Sequence, residues 1–380
     1  MRLGVNYKEI FACDMDKYAR QTFIHNYGEP EYYPTNVYDR EIPSESLDIY
    51  MTSPPCQAFS LAGKRLGKDD KRGILFFNSH EFIQVNKPRF FIFENVKGLL
   101  SDDNGRTFQE WVNMLGGKSV NGVPVLFPYE ESVPYHLYWQ VLNAKHHGVP
   151  QNRERVFLIG IRDDADNKFQ FPREEHLSKR LKDVLENAVD EKYFLSEKMV
   201  NVLTHHKNPI IENETPNKSA CIHAGYFKMG GRDQQYLKVN SATSKGYEEA
   251  REGDSINFSV PSSETRRGRV GKGVAQTLDT ACNQGVIQKT TYGKHQQDCF
   301  YDCNGIIGAI PAGTHGSTPH LTKTLMPCGT KIRRLTPREC FRLMDFPDTF
   351  TWKVSDSQAY KQAGNSIVVN VLYKILKNLL

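Results

Sequence analysis

Thr52-Ser53-Pro54-Pro55-Cys56-Gln57 follows the apolar run Leu47-Asp48-Ile49-Tyr50-Met51, and the reading of this junction decides the fold. A short apolar run of this kind, bounded by turn residues, predicts a buried strand. Two prolines then stop it, since neither can donate to a ladder. A cysteine is thereby placed where the chain leaves the carboxyl end of a strand. Phe59-Ser60-Leu61-Ala62-Gly63-Lys64-Arg65 beyond it reads as a basic loop.

Outward from this junction, residues 9–162 alternate between strand and helix patterns. Strands are expected at 9–13, 47–52, 89–93, 138–142 and 156–161. Helices are expected at 18–26, 74–85 and 108–115, each with helical apolar spacing. Such alternation predicts an α/β domain with a mainly parallel sheet. Ligands of these sheets lie beyond the carboxyl ends of the strands. Asp14, Cys56 and Glu94 all follow or end predicted strands.

The character changes after Pro172. Residues 173–215 read as charged and helical. Residues 216–330 are rich in Gly, Thr, Ser, Asn and Gln, with short strand-like pieces. Basic residues and glycines interleave in Lys228-Met229-Gly230-Gly231-Arg232 and in Arg266-Arg267-Gly268-Arg269. That composition suits either solvated loops or a surface that meets phosphates and base edges. Regularity returns with Thr336-Pro337-Arg338-Glu339, a capping box with proline at the first helical position. Its helix is expected to run through Met344. A last helix is expected over 367–379, with Gly364-Asn365-Ser366 at its start, where backbone N–H groups would face an anion.

Composition sets the outer limits. The chain has 380 residues, 39% of them hydrophobic, and a formal charge of +5. The length suits a core domain plus a second domain. The mild basic excess permits a nucleic-acid partner without requiring one. No apolar run is long enough for a bilayer. The first residues show no apolar core of a signal peptide. The eight cysteines include no CxxC pair, and no histidine pair at metal spacing follows Cys299 and Cys303. No metal site is read, and a reduced, cytoplasmic protein is the expectation.

The residue types allow a definite chemistry. A thiolate is the nucleophilic form of cysteine, favoured by nearby cations. Lys64, Arg65, Lys68 and Arg72 lie within sequence reach of Cys56. Glu94 could share a proton if buried. Arg153 and Arg155 alternate along the entry to a strand, so they would share one face and could hold a carbonyl or carboxylate. Any one of these residues alone is more often structural.

Together the segments resemble one family, the DNA (cytosine-5)-methyltransferases. The resemblance rests on Pro54-Pro55-Cys56-Gln57, Phe93-Glu94-Asn95-Val96, Gln151-Asn152-Arg153-Glu154-Arg155, Arg334-Leu335-Thr336-Pro337-Arg338-Glu339-Cys340 and Gln362-Ala363-Gly364-Asn365-Ser366, in the family's order. It spans residues 9–172 and 330–380. It implies a Rossmann-like core that uses S-adenosylmethionine and no metal, and a smaller, irregular β-rich target-recognition domain. The implied division is 1–172 for the catalytic and cofactor-binding core, 173–330 for the linker and recognition domain, and 331–380 for a return to the core. Cys56 would attack C6 of a flipped cytosine, Glu94 would bond the ring N3 and exocyclic amine, and Arg155 with Arg153 would contact O2 and the catalytic loop. The methyl group would then pass to C5. Asp14, Met15, Asn36, Pro55, Leu75 and Asn365 match cofactor-contacting positions, with Asn36 standing where the family usually has an acid. Gln57, Ser60, Lys64, Arg65 and Arg72, within a loop at 57–73 that closes over DNA, and Arg232, Arg266, Arg267 and Arg269 are the expected DNA contacts. The implied partner is duplex DNA, with a cognate restriction endonuclease acting separately. A monomer in the bacterial or phage-infected cytoplasm is expected, associated with the nucleoid through DNA.

One departure stands out. The family opens with a strand and a Phe-x-Gly-x-Gly loop ahead of the segment matching residues 1–7, and neither is present here. The expectation is a reading frame that extends upstream of Met1, or else weak cofactor binding and a sheet short of its central strand. Two other functions stay open on sequence: a transfer-RNA methyltransferase with the same core, and a DNA-binding remnant.

Overall fold

Strand β2 (Phe90–Val96) is buried on both faces over Phe90-Phe91-Ile92-Phe93-Glu94-Asn95, which explains its unbroken apolar run. The computed structural model describes residues 2–54, 74–165, 168–196, 210–211, 236–251, 253–263, 265–281, 283–289 and 330–380. These fall into two compact units, residues 1–178 with 344–380 and residues 179–343.

In the first unit, α1 (Lys17–Tyr27) precedes β1 (Ile49–Thr52), α2 (Ile74–Asn86) and β2. A 3₁₀ stretch, Lys97–Gly105, leads into α3 (Arg106–Leu115). Then come β3 (Ser119–Val120), β4 (Val123–Pro124), β5 (Tyr135–Asn143) and β6 (Glu154–Arg162). The sheet order is β1-β2-β6-β5-β3-β4. β1 runs parallel to β2 with Thr52 opposite Phe93. β6 is antiparallel to both β2 and β5. The sheet is therefore mixed, which corrects the expectation of a mainly parallel one. The connection from β5 to β6 is too short for a crossover helix, and adjacent strands joined that way must run antiparallel.

The core forms where α2 and α3 meet the sheet. α3 buries Phe108, Trp111, Val112 and Leu115, spaced as one face of a helix. Trp111 stacks on Phe76 of α2 at 4.3 Å. Gly160 stands opposite Phe91 in the ladder, and a Cβ there would lie 2.0 Å from the Phe91 ring. Only glycine fits that position without a shift in the core.

The apolar run at 9–13 is not a strand. Phe11 packs against the core, 5.4 Å from Phe82, but the backbone forms no ladder, and Ala12 N–H donates to Tyr32 O instead. Apolar pattern reports burial, and here partial burial comes without strand pairing. Likewise residues 173–215, expected to be helical, contain among the described residues only the 3₁₀ turns Leu181–Val184 and Glu191–Tyr193 and the two-residue strand β7 (Ile210–Ile211). Leu181 and Val184 are buried, whereas most neighbouring charges are not, so the described residues 173–196 offer no continuous apolar face to dock a helix.

The second unit is antiparallel. β8 (Tyr236–Asn240) lies between β7 and β9 (Tyr247–Ala250). A four-stranded sheet runs β11 (Val270–Gly271), β10 (Ser255–Asn257), β12 (Gln284–Lys289), β13 (Thr330–Arg334). Leu237, Val239, Ala250, Ile256 and Ile332 form its core. The segment expected to rejoin the first unit at 331 first completes this one. β13 pairs with β12, and α4 (Pro337–Leu343) follows within the same unit. The capping box forms in both directions: Thr336 N–H donates to Glu339 Oε2 at 2.8 Å, and Glu339 N–H donates to Thr336 Oγ1 at 3.2 Å. The chain then returns to the first unit as α5 (Asp356–Asn365) and α6 (Val369–Leu379). Among the described residues, no helix is long and apolar enough to cross a membrane.

Candidate active site

Glu94 occupies the fifth position of β2, near the strand's carboxyl end, and is 5% exposed. The ladder sets its neighbour. Val96 opposes Arg155 and Glu94 opposes Phe157, so Arg155 is the diagonal neighbour of Glu94 on the same face. Its Nε lies 2.9 Å from Glu94 Oε1. The other carboxylate oxygen, Oε2, accepts the Ser53 hydroxyl at 2.6 Å, and the same hydroxyl lies 3.1 Å from the Glu94 carbonyl. Asn95 Nδ2 donates to Pro54 O at 2.8 Å. Two consecutive residues of β2 thus hold the two residues that follow β1. The carboxylate is thus buried, with a hydroxyl bonded to Oε2 and a guanidinium charge beside an Oε1 that accepts no hydrogen bond, which leaves Oε1 open to a ring nitrogen or amine.

Pro54 is the last described residue before 74. Pro55, Cys56, Gln57, Ser60, Lys64, Arg65 and Arg72 lie outside the described residues, as does Arg232. The expected joint action of Arg153 and Arg155 divides. Both line one small recess with Glu94, Leu142 and Val368. Arg153 is 3% exposed, and its Nη2 donates to Gly364 O and Ser366 O at 3.0 Å each. Burial first, and then the nearby Arg155 charge, push its pKa down to about 10. Arg153 thus ties the C-terminal segment to the sheet, and Arg155 is the one set against Glu94.

That contact corrects the reading of Gly364-Asn365-Ser366. These residues end α5, with Ser366 as its C-cap, and α6 opens later at Val369. The segment presents carbonyls to a guanidinium, the reverse polarity of an anion-binding helix start.

The cofactor candidates come partly together. Asp14 is half-buried, its Oδ1 accepts Asp16 N–H at 2.7 Å, and burial pushes its pKa up. Met15 beside it is 86% exposed. Asp16 caps α1 through Tyr18 N–H and Ala19 N–H. Asp16 also pairs with Lys361 at 2.6 Å, which joins the start of α1 to α5, the helix that carries Asn365. Gln362 on that helix holds both amide polar atoms buried without a partner, and Gln358 one turn earlier holds its Oε1 so. Buried, unanswered amides on the helix that Lys361 ties to the Asp14 segment fit a polar ligand such as an adenosyl group. Asn36 serves differently: its side chain receives Tyr38 N–H and donates to Asp39, closing a turn. Arg20 stacks on Tyr33 at 3.8 Å and donates to Pro34 O, fixing this turn beside α1. Leu75 is partly buried in the first turn of α2.

In the second unit, Arg269 is fully buried and donates to the carbonyls of Asn257, Val260, Pro261 and Ser263. It holds a loop and offers nothing to DNA, which corrects its assignment as a contact. A side chain with five donors can satisfy a loop of carbonyls that no ladder reaches. Arg267 is exposed and Arg266 is partly so. Ser53, Lys361 and Gln362 were not singled out from sequence. Only Gln362 carried a signal, as the first residue of the Gln362-Ala363-Gly364-Asn365-Ser366 motif.

The orphan methyltransferase M.SPRI of Bacillus phage SPR is 30% identical, covering 100% of this chain and 93% of that protein. The type II methyltransferase M.HhaI of Haemophilus parahaemolyticus is 30% identical, covering 97% of this chain and 86% of that protein. Among solved structures, a mutant DNMT2 of Spodoptera frugiperda matches with a TM-score of 0.57 at 20% identity, covering 100% of this chain and 94% of that one. Dnmt2 of S. pombe matches with a TM-score of 0.54 at 17% identity, covering 98% and 90%. These two establish the fold, a Rossmann-like methyltransferase core with a smaller β-rich unit. The family model for C-5 cytosine-specific DNA methylases matches residues 1–380, and this chain is a member of that family.

Proposed function

We propose that this enzyme methylates C5 of a flipped-out cytosine within a specific duplex DNA sequence, through a transient bond between Cys56 Sγ and the ring C6. The observation that carries the reading is the carboxyl end of β2. Glu94 is buried there between Arg155 and Ser53, and Asn95 holds the carbonyl of Pro54, two residues before Cys56. The base must leave the stack, because C5 and C6 are out of reach within a duplex. Cys56 as thiolate adds to C6. Glu94 bonds N3 and the exocyclic amine, so the ring can accept the added electron density. Arg155 orients Glu94 and contacts O2. Loss of the C5 proton and departure of the thiolate complete the cycle.

S-adenosylmethionine, when bound, supplies the methyl group. Asp14 would accept the ribose hydroxyls, Met15 would lie against the adenine, and Asn365 with Gln362 would take polar groups. Pro55 and Leu75 complete the set. Gln57, Ser60, Lys64, Arg65 and Arg72 would meet phosphates and bases around the flipped nucleotide, and Arg232, Arg266 and Arg267 are the candidates in the smaller unit. The protein acts as a monomer in a bacterial or phage-infected cytoplasm, with any cognate endonuclease acting separately.

Radiolabelled methyl transfer into unmethylated genomic duplex DNA tests the reading, followed by bisulfite sequencing of the product. Label at C5 in one sequence context is expected. Label in transfer RNA alone would move the activity to RNA. A duplex carrying 5-fluorocytosine should trap a covalent adduct that Cys56→Ser abolishes. Binding without an adduct would leave only a DNA-binding remnant.

A further inference from the structure

Arg155 and Ser53 divide the two oxygens of Glu94, and they differ in what they can do. Arg155 can only donate, so its charge beside Oε1 leaves any proton of the carboxyl to Oε2. A hydroxyl carries one hydrogen and two lone pairs and rotates freely. Ser53 Oγ has two acceptors within reach, Glu94 Oε2 at 2.6 Å and Glu94 O at 3.1 Å. Ser53 is itself an exposed residue, so its hydroxyl fills no core position.

We propose that Ser53 is a positioning residue for Glu94, whose hydroxyl turns between these two acceptors as Glu94 changes protonation state. While Glu94 is ionised, the Ser53 hydrogen points at Oε2. When Oε2 carries the proton it shares with ring N3, the Ser53 hydrogen turns to the Glu94 carbonyl and leaves Oε2 free to hold that proton. No heavy atom moves, so the carboxyl keeps one orientation in both states. The inference rests on the cytosine-methylation reading, in which Glu94 shares a proton with ring N3 while Cys56 adds to C6 and recovers it when the thiolate leaves. Asn95 supports the arrangement by holding Pro54, the next residue in the chain.

The test compares methyl transfer by wild type, Ser53→Ala, Ser53→Thr, Glu94→Gln and the double variant Ser53→Ala/Glu94→Gln. Loss of a hydrogen bond to a charged group should lower kcat of Ser53→Ala about 10-fold. The KM for S-adenosylmethionine should stay within about twofold. Ser53→Thr, which restores the hydroxyl, should recover most of the rate. In the Glu94→Gln background, Ser53→Ala should add nothing, whereas a merely structural role would give the same fold-loss in both backgrounds. A Ser53→Ala rate within about twofold of wild type, or equal losses in the two backgrounds, overturns the proposal. Failure of the wild type itself to methylate duplex DNA overturns the reading beneath it.

Discussion

Two arginine–glutamate pairs in this protein are built from the same chemistry and sealed to different degrees. In the first unit, Arg155 meets Glu94 through one nitrogen at 2.9 Å, with side-chain exposures of 16% and 7%. In the second, Arg333 grips Glu339 with two nitrogens, each at 2.8 Å, and both side chains are 0% exposed. Glu339 also receives Thr336 N–H and Glu186 N–H, so both its oxygens are fully engaged within the unit. The sealed pair closes the start of α4 on β13. The open pair leaves Glu94 held in place and still within reach of a ligand. A buried pair with every lone pair answered serves specificity of folding. A pair with a single charged contact and a neighbouring hydroxyl leaves the carboxylate with an unanswered oxygen.

Substitutions at the two glutamates should therefore separate activity from stability. Glu94→Gln is expected to lower methyl transfer by about 10²–10⁴-fold, with a melting temperature close to wild type. Glu339→Ala strands Arg333 in a dry interior and should cost about 3–5 kcal/mol of stability, measured by urea unfolding. If Glu94→Gln instead unfolds the protein, or Glu339→Ala is stable and inactive, the distinction between the pairs fails.

Arg153→Met sharpens the contrast between the two arginines of the first unit. It leaves Gly364 O and Ser366 O without their donor, at a cost of about 1.5–3 kcal/mol. Limited proteolysis should then cut near 364–366 first. Arg155→Met, by comparison, should lower kcat with little change in that cleavage.

Lys361→Met removes the contact with Asp16 across a partly exposed surface, and the stability change should stay below about 1 kcal/mol. Its measurable effect is expected in the KM for S-adenosylmethionine, because the pair joins the segment of Asp14 to that of Asn365. An unchanged KM would detach this contact from the cofactor site.

The smallest effect concerns pH. His147 is fully buried with both ring nitrogens unpartnered, and burial first, then Lys374, pushes its pKa down, against Glu175 and Glu174. The unfolded chain then binds a proton that the folded chain refuses. Stability from this residue is present above the unfolded histidine value, near 6.5, and is lost as pH falls below it. Melting temperatures between pH 8 and pH 5 should fall less for His147→Gln than for wild type.

Several local features of the fold were legible in the sequence. The capping box at Thr336 and Glu339, the helix Arg106–Leu115 and the placement of Glu94 near a strand end all follow from local pattern, because each depends on residues a few positions apart. The direction of the sheet did not follow, since apolar runs are alike in parallel and antiparallel ladders when both faces are covered. Nor did the fates of the arginines. Arg153, Arg155, Arg269 and Arg333 are the same residue in sequence, and their roles differ only by which carbonyls or carboxylates the fold brings to them. Sequence alone pointed to the family, to most of the α/β order and to Cys56, Glu94 and Arg155 as candidates. Tertiary structure alone decided that Gly364 and Ser366 offer carbonyls, that Arg269 is interior, and that Ser53 reaches Glu94. The physical reason is range: helix caps and periodicity act within a turn or two, whereas a buried charge finds its partner wherever the chain returns.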